Sequence, residues 1–192
     1  SPRLRCSSIS GSVWYLIIGP DSASRVAYGL AVLRHRVENC RSMSRVIVLH
    51  APSPGHGTPE WERGLLQRLP YARRLELESR DPEARRASLG GTVLLFAAAG
   101  RLGFGDVEAG KLRFPEDAKP RVAGGPFFSI SHTAQHVACA ASCECDIGLD
   151  HEDYAGEQAP ARLRHWTAVE ATLKAAGAGL RRTGAVEVDV EL

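Results

Sequence analysis

Lysine is scarce in this sequence: of 24 basic residues only Lys111, Lys119 and Lys174 are lysine, and arginine supplies the rest. Arginine stays charged under all ordinary conditions, whereas lysine is a compact point charge that can release a proton. Each of the three lysines is therefore more informative than usual. Long apolar runs are missing too. The longest near the N-terminus, "VWYLII", is far too short for a membrane span and lacks the small-residue cleavage site of a signal peptide. No membrane association is expected from it. An excess of one charge is also absent, since 24 basic against 22 acidic residues leave a formal net charge of +2. That is too little to predict nucleic-acid binding, although positive charge gathered on one face would suit an acidic protein partner. The five cysteines are odd in number and three crowd together at 139–145. This is no secreted disulfide framework, and the expected compartment is a reducing cytoplasm.

What is present suits an ordinary globular chain. Its 192 residues, 44% apolar and 24% charged, fit one domain or two small lobes around a shared core. β-branched runs predict strands at "SVWYLIIG" and "SRVIVLHAP" (44–52), with a helix between them over "SASRVAYGLAVLRHRVENC". From Trp61 to Leu102 the pattern is helical, broken near "LPYARR" and "RDPEA" and ended by a glycine. The prolines of "KLRFPEDAKPRVAGGP" restrict it to loop and edge strand. Strands follow at "FFSISHT", "HVACAASCE" and "CDIGLDHED", then a helix over "RLRHWTAVEATLKAAGAGL" and a last alternating strand, "GAVEVDVEL". The expected class is α+β with mostly antiparallel sheets and helices packed on them.

Two spacings carry chemistry. Residues two apart in a strand share a face, so Asp150 and Glu152 project together while His151 faces away. Residues four apart in a helix share a face, which pairs Glu170 with Lys174. Separately these are a solvated strand end and a common surface ion pair. Packed face to face, strand and helix would bring three carboxylates beside one ammonium. Hard oxygen ligands with room for phosphate oxygens make a Mg2+ site, and a lysine at its edge binds phosphate as a point charge. Such a site handles a diphosphate. A zinc site from His132, His136, Cys139, Cys143 and Cys145 is the rival, but Cys-x-Cys fits zinc spacing poorly. Alternation places the three cysteines on one strand face, where buried cysteine is ordinary.

In order along the chain stand "FSISHT" (128–133), "GLDHE" (148–152) and "WTAVEATLKAAGAG" (166–179). Together they resemble the Sfp-type 4′-phosphopantetheinyl transferases, whose pattern runs F-N-x-S-H-S, G-[IV]-D-x-E and W-x2-K-E-A-x2-K-x2-G-x-G. "AKP" (118–120) and "RASLGG" (86–91) resemble two further stretches of that family. The similarity spans roughly residues 69–180 and is most specific over 119–180. It implies a pseudo-twofold, two-lobe fold with coenzyme A between the lobes, the first at 1–145 and a short or incomplete second at 146–192. The pseudo-dimer favours a monomer. It implies Asp150, Glu152 and Glu170 as Mg2+ ligands, with Glu170 also taking the proton of an incoming serine. Lys174 would contact the coenzyme A diphosphate and assist the leaving 3′,5′-ADP. Ser131 and His132 would contact phosphate, the Lys119–Pro120 backbone would lie by the adenine, and Ser88 with Arg73 or Arg74 would bind the 3′-phosphate. The implied partner is an acidic acyl or peptidyl carrier protein.

Several positions depart from that pattern. Val169 stands where the family has lysine, Ala118 where it has glycine, and Ser129 where it has asparagine. The interval from Glu152 to Trp166 is shorter than in well-known members, and the sequence ends before the closing strands the resemblance leads one to expect. Residues 1–44 read as an extension. Loss of the lysine at position 169 also admits a degenerate member that binds coenzyme A or a carrier protein without transfer.

Overall fold

Proline just inside a helix start and an oxygen-bearing cap before it set two of the described helices. The computed structural model describes residues 10–18, 46–54, 58–115, 118–155 and 160–177. Helix α1 (Pro59–Arg68) begins at Thr58, whose hydroxyl accepts the Trp61 N–H at 3.3 Å. After the Leu69-Pro70 break comes α2 (Tyr71–Glu78). The long α3 (Pro82–Leu102) starts at Asp81, whose carboxylate takes the N–H groups of Glu83 and Ala84, both at 3.0 Å. It ends on Gly103, in the left-handed conformation at φ +92 that glycine adopts without strain. Both predicted breaks in the 61–102 helical stretch are real. Among the described residues no helix is long and apolar enough to cross a membrane.

The strands pair antiparallel throughout. They are β1 (Ser10–Ile18), β2 (Val46–Pro52), β3 (Leu112–Arg113), β4 (Arg121–Val122), β5 (Phe127–His132), β6 (His136–Ser142) and β7 (Ile147–Ala155). β6 is central to a sheet in the order β2-β6-β5, β3 pairs β4, and β1 pairs β7 from Ser10↔Ala155 to Ile18↔Ile147. The segment read as an extension thus supplies the neighbour of the acidic strand. The predicted helix at 22–40 and strand at 184–192 lie outside the described residues.

Small residues let the layers approach. On β6, Cys139 and Ala141 join the core beneath α3, with Leu89, Leu95 and Phe128. Ala138 and Ala140 turn the other way and pack with Leu16, Ile147 and Leu149. β5 and β7 touch through serine hydroxyls instead of a backbone ladder. Ser129 Oγ accepts the Leu149 N–H at 2.9 Å and Ser131 Oγ accepts the His151 N–H at 3.3 Å. The constant offset in numbering means that the two segments run parallel.

Helix α4 (Ala161–Ala176) closes over β7 and ends at Gly177, φ +67. Gly148 decides how closely it lies. A Cβ there would overlap the Ala171 carbonyl and come within 2.5 Å of the Ala175 nitrogen, both helix backbone. Contact with the C-terminal half of α4 at the start of β7 also shows that helix and strand run antiparallel.

Gly148→Ala is expected to lower Tm by at least about 5 °C, because backbone cannot yield as a side-chain tip can. Gly64→Ala, in exposed α1 with nothing within 4 Å, should raise it by about 1–3 °C through helix propensity. Thermal unfolding of both variants checks this, and equal shifts would remove the close-packing claim.

Candidate functional site

The two spacings meet as the face-to-face packing requires. β7 turns Asp150 and Glu152 toward α4, and α4 turns Glu170 and Lys174 toward β7. One oxygen from each acid lies within 4.8 Å of those of the other two. Lys174 Nζ sits 2.5 Å from Asp150 Oδ1 and 3.4 Å from Glu170 Oε1. Ser131 Oγ donates to the same Asp150 Oδ1 at 2.8 Å. Asp150 is buried, its side chain only 3% exposed. Its other oxygen, Oδ2, is buried with no hydrogen-bond partner, an arrangement that ordinarily calls for an explanation such as an ion.

The charges do not balance. Three carboxylates against one ammonium leave two formal negative charges in a partly buried site. Burial pushes the Asp150 carboxyl above its ordinary pKa, with Lys174 pulling it back only in part. Glu152 is also raised, by burial first and then by the Asp150 and Glu170 charges. A hard divalent cation would supply the missing charge and occupy the orphan lone pairs. The donor set, all carboxylate oxygen, fits magnesium.

Beside the acids lies a cationic shelf. Arg80 donates to Ser88 Oγ at 3.1 Å, and Ser88 is buried on α3. Arg73 and Arg80 each grip one oxygen of Glu76 at 2.6 Å. Arg73 also lies over the Phe114 ring, 4.6 Å from its centroid. His132, exposed at the end of β5, feels the charges of both the shelf and Lys174. Its pKa is lowered by partial desolvation and then by Lys174, Arg80 and Arg73, which keeps the imidazole neutral at pH 7. Arg74 points elsewhere, over Tyr71 at 5.2 Å. Of the two arginine candidates, Arg73 is the one in the cluster. Arg80 was missed in the sequence because no helical or strand period connects it to Ser88. Its only signal is its place just before the Asp81 cap.

Lys119 and Pro120 stand apart from the acids. Lys119 is buried, donates to the Ile147 carbonyl, and pairs with Asp146 at 3.5 Å. Burial lowers its pKa to about 8. Arg121 takes the same aspartate with both guanidinium nitrogens, so this loop is tied to the start of β7. The cysteine expectation needs correction. β6 ends at Ser142, whose hydroxyl accepts the N–H groups of Glu144 and Cys145 at 3.3 and 3.4 Å and turns the chain. Cys143 and Cys145 thus leave the strand; among the described cysteines only Cys139 is buried, while Cys143 and Cys145 are partly buried against the edges of the two core clusters. His151 does face away from the acids. It is buried, and desolvation takes its pKa down to about 3, leaving it neutral.

Glu152→Gln is expected to raise Tm by a few degrees at pH 7–8 in chelator, because it removes one of three crowded charges. Since the folded pKa of Glu152 is raised, the wild type is penalised above that pKa and relieved below it. The advantage of the variant should therefore vanish as pH falls to about 4, near the ordinary glutamate value. Adding magnesium at pH 7.5 should stabilise the wild type more than the variant. A neutral or negative shift would contradict the charge imbalance. No known family model, curated protein or solved structure matches the chain.

Proposed function

We propose that this chain transfers the 4′-phosphopantetheine group from coenzyme A to a serine of an acidic acyl or peptidyl carrier protein. The observation that carries the proposal is the convergence of Asp150, Glu152 and Glu170 from two consecutive elements, with Lys174 at their edge. The cationic shelf of Arg73, Arg80 and Ser88 supports it, because it offers a second phosphate position distinct from the acids, with His132 in electrostatic reach of the shelf and of Lys174. A ligand carrying both a diphosphate and a separate phosphomonoester suits that layout. The order of motifs resembling the Sfp-type family supports it as well. On this proposal the two-lobe arrangement of that family would place coenzyme A between residues before and after about 145. Val169, where the resemblance expects lysine, is buried. The substitution therefore places an apolar side chain in the core and leaves the acids and Lys174 in place.

Asp150, Glu152 and Glu170 would hold magnesium, which when bound neutralises the diphosphate and the oxygen that departs from it. The chain's own groups do the rest. Glu170, whose side chain is more exposed than that of Asp150, takes the proton of the carrier serine hydroxyl, directly or through water. The serine oxygen forms a bond to the β-phosphorus, the bond from that phosphorus to the bridging oxygen breaks, and 3′,5′-ADP leaves with that oxygen. Lys174 offers its ammonium to the charge growing on the leaving group. Ser131 holds Asp150 by its hydrogen bond, and His132, neutral, lends a polar edge to the phosphates. Arg73, Arg80 and Ser88 anchor the 3′-phosphate, so that binding energy remote from the reacting atoms positions them. An arginine-rich face on the chain would steer an acidic carrier in a salt-sensitive way.

Asp150→Asn and Glu170→Gln should each reduce transfer by at least about 100-fold while far-UV circular dichroism stays unchanged. Lys174→Ala should lower kcat more than coenzyme A affinity. The assay is incubation with coenzyme A, magnesium and a panel of apo carriers, followed by intact mass of the carrier. Wild-type protein that binds coenzyme A but leaves every carrier unmodified would replace this function with that of a binding protein.

A further inference from the structure

We infer that Glu76 is the built-in counter-ion of the phosphate shelf, a residue that a bound phosphomonoester must displace and that therefore sets how tightly the shelf holds it. The inference rests on the transfer function proposed above and assigns a part of the site that the motifs do not touch. Glu76 occupies both arginines at once, Arg73 through Oε2 and Arg80 through Oε1, each at 2.6 Å. Its side chain is 45% exposed, so the two ion pairs lie where ligand and solvent can reach them. A phosphate that takes those guanidinium protons competes directly with the carboxylate.

The alternative role is positioning, in which Glu76 holds the arginines ready and its loss would weaken binding. The contacts argue against it. Each arginine has a second tether that does not involve Glu76: Arg73 lies over Phe114 at 4.6 Å and Arg80 donates to Ser88 Oγ at 3.1 Å. Removing the carboxylate leaves both guanidinium groups anchored, frees two sets of donors, and takes a negative charge away from the incoming anion. Competition outweighs positioning. The proposed reaction offers a reason for such a device. Coenzyme A and the leaving 3′,5′-ADP carry the same phosphomonoester, so a shelf without an internal competitor would hold substrate and product equally hard. Glu76 loosens the grip on both, and a dianion offsets the lost ion pairs better than a monoanion does.

The test compares 3′,5′-ADP with 5′-AMP, which differs from it only by lacking the 3′-phosphate, by calorimetric titration of the full chain in the presence of magnesium. Wild type should bind 3′,5′-ADP the more tightly. Glu76→Gln should tighten 3′,5′-ADP by about 3- to 10-fold and leave 5′-AMP unchanged. Glu78→Gln, an exposed acid on the same helix, should change neither and so controls for net charge. Arg80→Met should erase the preference between the two nucleotides. Unchanged or weaker 3′,5′-ADP binding in Glu76→Gln overturns the inference, as does equal tightening of both ligands. Circular dichroism of each variant guards against unfolding, which the exposure of Glu76 makes no concern. If wild type modifies a carrier but Glu76→Gln is inert, only the role of Glu76 falls. If wild type neither modifies a carrier nor prefers 3′,5′-ADP, the transfer function falls and this inference with it.

Discussion

The site depends on how closely α4 can lie on β7, and Gly148 sets that distance. With no Cβ in the way, the helix backbone at Ala171 and Ala175 rests directly on the strand. At that separation a carboxylate on the strand and a carboxylate on the helix fall within a few ångströms of each other. A wider spacing would leave Glu170 and Lys174 as the bland surface pair that their spacing suggests, worth about 0.2–0.5 kcal/mol. The close contact instead concentrates charge, and the molecule tolerates the repulsion only in part, through Lys174.

That tolerance is asymmetric. Lys174 and Ser131 both address Asp150 Oδ1, while Oδ2 remains buried without a partner. A buried ion pair of this kind does not by itself stabilise much, because desolvation offsets the attraction. The arrangement makes physical sense as a seat for a further cation, since function at such a site is bought with stability. The serines of β5 complete the picture. Ser129 and Ser131 join β5 to β7 by side chain, which leaves the alternation of β7 intact and keeps Asp150 and Glu152 on one side with His151 on the other.

The cationic shelf follows a different logic. Arg73 on α2, Arg80 between helices and Ser88 on α3 are brought together by the break that the Arg80-Asp81-Pro82 segment makes between two helices. No single element's period relates them. His132, from β5, lies within electrostatic reach of both this shelf and Lys174. Lys119 is a structural counterpart. Its side chain holds the start of β7 through Ile147 and Asp146, which leaves open the part the resemblance implies for its backbone.

Much of the fold was legible because its signals are local. The breaks at "LPYARR" and "RDPEA", the glycine after Leu102 and the alternation of β5 to β7 each act within a few residues, where sequence spacing and spatial spacing coincide. The pairing of Asp150 with Glu152 and of Glu170 with Lys174 was legible for the same reason. What spacing alone could not supply was the partner of each element. The neighbour of β7 is a strand well over a hundred residues earlier, and the choice of Arg73 over Arg74, with the addition of Arg80, came from the packing of three segments. The end of β6 at Ser142, which separates Cys143 and Cys145 from Cys139, came from a hydroxyl accepting two backbone N–H groups against the hydrophobic alternation. By itself, then, the sequence determined which side chains share a face, because that follows from backbone periodicity. Only the tertiary structure decided which faces meet, because that follows from the shapes, such as the missing Cβ at Gly148, that allow two elements to close on one another.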